Sequence, residues 1–182
     1  MALSKIDAAN FLNGTIPSGN ITTASLASAA TGKVLQVVQT IKVDTFSSTS
    51  GGWIDVTGLS LAITPSATSS KVYGIFSIAM GLSNFNDFNY SWKSVRGSTD
   101  IGISNTGNGG SGGGNMYLSG GAYPHLFGNT KTVLDSPSTT SATTYKIQIN
   151  KGGTDGTIYV NRRGQDSGQT AVSSITLMEI GA

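Results

Sequence analysis

The chain has 182 residues, which is enough for one domain with a substantial core. Only 11% of the residues are charged, well below the roughly 25% of an average soluble domain. The net charge of +2 comes from scattered cations and leaves no basic stripe for nucleic acid, and the lack of cysteine excludes disulfide scaffolds, thiolate chemistry and cysteine-type zinc sites.

The first 32 residues differ from the remainder and are predicted to form an anchoring arm and linker. Ser4 and Asp7 resemble a helix-capping pair, and Asn13-Gly14 ends the short helix that they predict. An isolated helix of about eight residues is unstable in water, so we expect it to dock on a partner, a symmetry mate or the main domain. The anchoring side chains predicted in this arm are Ile6, Phe11, Leu12 and Ile16.

Two readings of residues 18–32 remain open, an extended linker or a second short helix over 23–30. The N-terminus lacks the basic region and apolar core of a signal peptide, and no run approaches the ~20 apolar residues of a membrane span. We therefore expect neither export by a signal peptide nor membrane insertion. A charge-poor composition is common in extracellular and virion proteins, and synthesis in a host cytoplasm followed by assembly into a virion satisfies both observations.

From residue 33 onward the apolar pattern has a period of two, which predicts β-strands. Leu35, Val37, Ile41 and Val43 share one register, and Gly58 interrupts the next strand as an expected bulge or kink. Many short strands separated by turn sequences predict an all-β fold, an antiparallel sandwich or jelly roll over residues 33–182. The strand segments are VLQVVQTIKV, WIDVTGLSLAIT, KVYGIFSIAM, FNYSWKSV, DIGIS, NMYLSG, TTYKIQIN, GTIYVNRR and SSITLMEI.

The segment NTGNGGSGGGN (105–115) contains the spacing of a dinucleotide-binding motif at Gly107, Gly109 and Gly112. That motif must open a helix, but the residues that follow are rich in Gly and Pro and show no helical pattern. No Lys follows the glycines, so a P-loop is excluded as well. The segment is predicted to be an irregular surface loop, and no cofactor is expected.

Candidate catalytic residues are sparse. His125 is the single histidine and lies in the apolar segment AYPHLF, which favours a structural or interface role. The acids stand alone along the chain and are typical of turns, although a pair converging in the fold would permit glycosidase chemistry. NFNDFN (84–89) offers oxygen ligands for calcium but is better explained as a hairpin turn, so no metal site is predicted.

Aromatic residues give the clearest binding signal, because exposed aromatics among Asn and Gly are typical of recognition surfaces. The segments 83–92 and 105–128 are predicted to be outward loops, and about half of their aromatics, Trp92 included, are assigned to the core. The candidate binding residues in these loops are Phe85, Asn86, Asp87, Phe88, Tyr117 and Tyr123.

Several blocks of the sequence resemble known virion proteins. LSKIDAANFLNGTIPSGNIT is similar to segments near the attachment ends of bacteriophage tail fibres. GKVLQVVQTIKVDTFSSTS, DVTGLSLAITPSATSSKV, RGSTDIGI, LDSPSTTSATTYKIQI and SSITLMEIG resemble a knob domain of phage virion structural proteins, notably marine and cyanobacterial ones. The glycine loop and NFNDFNYSW match no such pattern.

The resemblance implies a non-enzymatic, commonly trimeric β-sandwich that is carried on the virion by its N-terminal arm. Capsid or tail proteins are then the expected partners of the arm, and a host-surface glycan or protein is the expected partner of the outward loops. A short spike, a fibre tip and a head-decoration knob all fit the short arm. A free carbohydrate-binding, lectin-like module and a polysaccharide-cleaving spike are the alternatives.

Overall fold

The computed structural model describes residues 33–83, 88–103, 114–118, 125–152 and 156–181, with the backbone alone for residues 88, 89 and 114–118. These residues form strands and connecting segments, which confirms the predicted all-β fold; the predicted arm helix lies outside them. The strands are β1 (Val34–Lys42), β2 (Phe46–Ser48), β3 (Trp53–Ile63), β4 (Lys71–Leu82), β5 (Phe88–Arg96), β6 (Thr99–Ile101), β7 (Gly114–Leu118), β8 (Leu126–Asp135), β9 (Thr143–Lys151), β10 (Ile158–Val160) and β11 (Ser173–Ile180).

The first sheet is four strands wide and is centred on β4. One edge of β4 pairs with β8 along nearly its whole length. Its other edge pairs with β11 at one end and with β10 at the other, so β10 and β11 are two parts of one broken strand. β1 and β2 pair with β11 and β10 in the same way and form the outer edge of the sheet.

The second sheet is also four strands wide, in the order β3, β9, β5 and then β6 with β7. β6 and β7 pair with successive parts of the free edge of β5, so they act as one broken strand. All of these pairings are antiparallel.

Joining each broken strand gives eight strands with the sheet orders 1-8-3-6 and 2-7-4-5. This interleaving of early and late strands is the jelly-roll arrangement, in which two Greek keys fold over one core. The described strands belong to one compact unit, Val34–Ala182.

The core lies between the sheets and is filled by alternate residues of each strand. Phe76 of β4 and Leu177 of β11 face Trp92 of β5 and Ile147 of β9, and all four are fully buried. Burial of Trp92 confirms its predicted core position. Tyr90 is buried beside it, so the expectation that 83–92 is an outward loop is wrong from residue 88 onward, where β5 begins.

The sequence predicted the bulge in β3 but not the strand β8. Gly58 has a φ of 87°, and the β3–β9 register shifts between Asp55 and Ser60, which confirms the predicted bulge. β8 was not among the predicted strands, and the predicted outward loop 105–128 overlaps both β7 and the start of β8. The inward positions of β8 include Asn129 and Lys131, so the strand lacks the apolar alternation that marks the others.

Candidate assembly surface

The outer face of the first sheet carries most of the exposed apolar side chains in the described part of the chain. Along β1 the inward positions are Gln36, Val38, Thr40 and Lys42, whereas the alternate positions point away from the core. Of the eight large hydrophobic side chains exposed among the described residues, five lie in or just after β1: Val34, Leu35, Val37, Ile41 and Val43. The apolar register predicted from the sequence is therefore real, but it lies on the outside of the sandwich.

An apolar row crosses this face from one edge of the sheet to the other. Val37 on β1 lies opposite Met178 on β11, which lies opposite Tyr73 on β4, which in turn lies opposite Leu134 on β8. Val37 is 55% exposed and Leu134 is 61% exposed, so both ends of the row are open to solvent. We call this set the apolar row.

The neighbouring positions on the same face are neutral. The adjacent row consists of Gln39, Thr176, Ile75 and Thr132, and the Gln39 Nε2 atom donates to Thr176 Oγ1 at 2.8 Å. Lys71 is the single charged residue among the outward positions of β1, β4, β8 and β11, and it lies at the margin, where its Nζ atom donates to Ser136 Oγ at 2.8 Å.

The segment 161–172, between β10 and β11, closes one end of this face. A side chain at Gly81 would collide with the carbonyl of Arg162, and one at Gly164 would collide with the carbonyl of Leu82. The segment begins at Asn161, which is fully buried and has a φ of 63°. The side-chain nitrogen of Asn161, Nδ2, donates to the carbonyl oxygens of Lys42 (2.7 Å) and Asp44 (3.0 Å). These bonds hold the segment against the break between β1 and β2.

The outer face of the second sheet is different in character, because charged side chains cover it. Asp55 on β3 accepts from Lys146 at 2.8 Å and from Gln148 at 2.7 Å. Burial acts to raise the pKa of Asp55, but the hydrogen bonds from these two residues outweigh it and lower the pKa. Lys93 on β5 pairs with Asp100 at 2.8 Å and lies over the ring of Trp53, 4.4 Å from its centroid. Charged groups therefore line this face, and they are open to water at its β3 edge, where the side chain of Asp55 is 55% exposed, whereas Lys93 is buried.

A buried carboxylate lies beneath the apolar face, at the end of β11. Glu179 is 1% exposed and accepts from Gln36 Nε2 at 2.6 Å, from Ser66 N at 2.7 Å and from Ser66 Oγ at 2.6 Å. Burial alone would raise the pKa of Glu179, but these hydrogen bonds outweigh it and lower the pKa to about 2. The side chain joins β1, the β3–β4 connection and β11.

A shallow hollow of about 450 Å³ lies where β5 turns into β6, next to the segment after β8. Beneath it, Arg96 Nη1 donates to both oxygens of Asp135, at 2.9 and 2.8 Å, and Tyr145 Oη donates to the same carboxylate at 2.7 Å. Burial and this carboxylate raise the pKa of Tyr145. The lining offers hydroxyl groups, from Ser98, Thr99, Thr139, Thr143 and Thr144.

Most residues predicted to bind or anchor lie outside the described part of the chain: Phe85, Asn86, Asp87 and Tyr123, together with Ile6, Phe11, Leu12 and Ile16 in the arm. Phe88 and Tyr117 lie on paired strands, with Phe88 opposite Leu118 and Tyr117 opposite Asn89. The structure therefore places the strands that contain Phe88 and Tyr117 side by side at one end of the second sheet. His125 is exposed just before β8, with its ring centroid 5.4 Å from that of Phe127.

Leu134 and Val172 are two members of the exposed apolar set that the sequence interpretation did not single out. The alternation of Thr130, Thr132 and Leu134 was available as a signal, but only the pairing of β8 with β4 shows that these residues share a face with β1. No group of three or more His, Asp or Glu side chains in the described ranges is placed to hold a metal ion. No helix in those ranges has the length and apolar character to cross a membrane.

Comparison with known proteins gives a distant structural likeness. No protein-family profile matches the sequence, and no curated protein matches it. Among solved structures, the fold is similar to a chain in the structure of infectious bursal disease virus, Gx strain, with 15% identity and a TM-score of 0.36. The match covers 82% of this chain and 38% of the viral chain, so the present chain spans well under half the length of that protein.

Proposed function

We propose that this chain is a non-enzymatic structural protein of a bacteriophage virion. It forms a homotrimeric knob that its N-terminal arm attaches to capsid or tail proteins. The observation that carries the proposal is the asymmetry of the jelly roll. One outer face is crossed by the apolar row and carries a single charge, Lys71 at its margin, whereas the other carries charged and amide side chains. A subunit built in this way has one side for assembly and one for solvent.

The ion pairs formed by the acidic side chains support a role without catalysis. Each aspartate in the described ranges pairs with its own cation: Asp44 with Lys42, Asp55 with Lys146, Asp100 with Lys93, Asp135 with Arg96 and Asp166 with Arg163. A glycosidase needs one carboxylic acid to protonate a leaving group and a second carboxylate to act on the sugar. Carboxylates held by fixed cations are poorly suited to the first of these tasks.

The adhesive part of the proposal concerns the end of the second sheet at which β5 and β7 pair. The segments 83–92 and 105–128, which contain the predicted binding residues, lead into or out of these two strands. Loops at the ends of a sandwich are where binding residues are concentrated, because a rigid pair of sheets holds them. A host-surface glycan or protein is the expected partner class.

The test is the location of the protein. Virions are purified through a density gradient, and the chain is sought by mass spectrometry and by immunogold labelling with an antibody against residues 33–182. We expect the protein to co-purify at a fixed ratio to the major capsid protein and the label to fall at regular positions on the particle. Recovery only in the particle-free fraction, combined with glycan-array binding, would instead establish the free lectin-like alternative.

A further inference from the structure

We infer that the outer face of the β1–β11–β4–β8 sheet is the surface through which copies of this chain contact one another. This inference rests on the proposed function, because it names the surface that would hold the trimer. It follows from the apolar row, from the size of the face and from its lack of charge.

The face is large enough for a specific contact. Four strands spaced about 4.8 Å apart, over about eight residues of 3.3 Å each, give a flat area of roughly 500 Å². In a closed trimer each subunit covers its face with two neighbours, so roughly 500 Å² of flat sheet area per subunit, or roughly 1,500 Å² over the whole ring, is removed from water. Because the side chains project from the sheet, the accessible area is larger than this flat estimate.

The lack of charge favours a second copy of the same chain as the occupant. When identical subunits meet, a charged group on one surface meets the like charge of its neighbour at or near the symmetry axis, and this contact is unfavourable. The outward side chains of the central rows carry no charge, and Lys71 lies at the margin. A partner recognised through its acidic or basic groups would find no complementary charge in the central rows of this face.

The placement of apolar residues suits a closed ring. Val37 and Ile41 lie at one lateral edge of the sheet, and Leu134 lies at the other. A heterologous contact, in which different surfaces of neighbouring copies meet, generates a ring when the rotation closes, and it needs a contact surface on each side of the subunit. The apolar row supplies both sides.

The competing occupant is the arm of the same chain, which enters β1 directly. Its linker, residues 18–32, contributes two large apolar side chains, Ile21 and Leu26, among Ser, Thr, Ala, Gly and Asn. A segment of this composition offers little apolar area to match a face four strands wide. The larger apolar side chains of the arm, Ile6, Phe11, Leu12 and Ile16, are the ones proposed to attach it to the particle, so a second copy fits the face better than the linker does.

The test uses the absence of cysteine from the chain. Ile41→Cys in the full-length protein places one thiol on the apolar face, and Ala62→Cys is the matched control on the exposed outer face of the second sheet, also on an edge strand. The rate of maleimide labelling is measured over a dilution series. We expect the Ile41→Cys thiol to react about tenfold or more slowly in concentrated protein than after dilution, since assembly follows mass action, and the Ala62→Cys thiol to react equally fast throughout.

The other labelling outcomes overturn the inference. A thiol at position 41 that is protected equally at every dilution, in a protein whose light-scattering mass is that of a monomer, would show that the arm of the same chain covers the face. A thiol that reacts rapidly at every dilution would show that the face is free. Either result leaves the proposed virion role to be decided by particle labelling, so the failure of the one is distinguishable from the failure of the other.

A second measurement tests the face by mass. Val37→Lys with Ile41→Lys should weaken association about 100-fold or more, because two charges would be buried without partners, and light scattering should then report monomer where the wild type is a trimer. Gln39→Lys gives the same test with a side chain that is already exposed and polar, and Ala62→Lys is the control. Trimer mass in the folded Gln39→Lys and double-lysine variants would overturn the inference.

Discussion

Gln36 and Glu179 are joined by a hydrogen bond of 2.6 Å, in which the amide of the first strand donates to a buried carboxylate on the last strand. The same Gln36 nitrogen lies 2.7 Å from the carbonyl oxygen of Thr64, so one side chain connects three segments that are distant in sequence. The donors to Glu179 are the neutral groups of Gln36 and Ser66, which stabilise it as an anion. Because protonation would remove this buried charge, the free energy of unfolding should depend on pH.

Glu179→Gln is expected to lower the free energy of unfolding by about 2–3 kcal/mol at neutral pH. The substitution replaces an acceptor oxygen by an NH₂ group, which then faces the donors on Ser66 or Gln36. Urea unfolding followed by intrinsic fluorescence measures the change. Asp166→Asn, which removes an exposed ion pair with Arg163, serves as the control and should leave the free energy nearly unchanged.

Comparison of the wild type with Glu179→Gln also gives a prediction for how the free energy of unfolding depends on pH. The pKa of Glu179 is lowered to about 2 in the folded state from an ordinary value of 4.5, so the unfolded state binds the proton more tightly. The stabilisation is therefore complete above about pH 4.5 and is lost as the pH falls toward 2. The difference in unfolding free energy between wild type and Glu179→Gln should shrink across this interval; a constant difference would contradict the assigned role.

At Asn161 we expect substitution by glycine to destabilise the fold less than substitution by alanine, the reverse of their usual order. Both substitutions remove the donors to Lys42 and Asp44 and should cost about 2–3 kcal/mol. Alanine must also adopt the left-handed conformation, so Asn161→Ala should be less stable than Asn161→Gly by about 1 kcal/mol. Thermal unfolding of the two variants checks this, and a more stable alanine variant would mean that the backbone has rearranged.

Gly164→Ala should destabilise the fold by more than about 3 kcal/mol or prevent folding. The new methyl group would collide with the carbonyl of Leu82, which is backbone and cannot be displaced without moving the end of β4. Gly51→Ala is the control, because no atom lies within 4 Å of the added carbon there. Soluble yield and the midpoint of thermal unfolding measure both; equal stability of the two variants would show that segment 161–172 does not pack on β4.

Deletion of residues 1–32 should leave a folded knob that no longer joins particles. The described strands all lie within Val34–Ala182, and their hydrogen bonds pair strands of that unit with one another. Circular dichroism of the truncated protein tests the folding, and incorporation into particles in a complementation assay tests the anchor. Loss of folding would refute the arm as a separate anchoring segment, whereas normal incorporation would place the attachment surface in the knob itself.

The parts of the fold that follow local rules were predictable from the sequence. Period-two patterns located most strands, and a glycine within a strand pattern located the bulge at Gly58. β8 was missed because two of its inward side chains, Asn129 and Lys131, are polar. Burial lowers the pKa of Lys131 to about 8, and its amine is held by the carbonyl oxygen of Ile101 at 3.1 Å. Such a strand is recognisable only from its partners.

The candidate surface was half predictable for a related reason. The register of Leu35, Val37 and Ile41 is plain in the sequence, but alternation states only that these residues share a face, not whether that face covers the core or another subunit. The polar residues at the intervening positions, Gln36, Thr40 and Lys42, are the ones that turn inward. Glu179 illustrates the same limit, since an acid in the inward register of Ile175 and Leu177 is recognisable only once its neutral donors are known.

The uncharged outer face of the first sheet also determines how the solution should affect assembly. With no charge pairs to screen, subunit contact through this face should respond little to dilute sodium chloride, whereas excluded salts such as sulfate should tighten it. Cooling should loosen it, because apolar burial weakens at low temperature. Trimers held together by this face would persist across a wide range of salinity and would dissociate first in the cold.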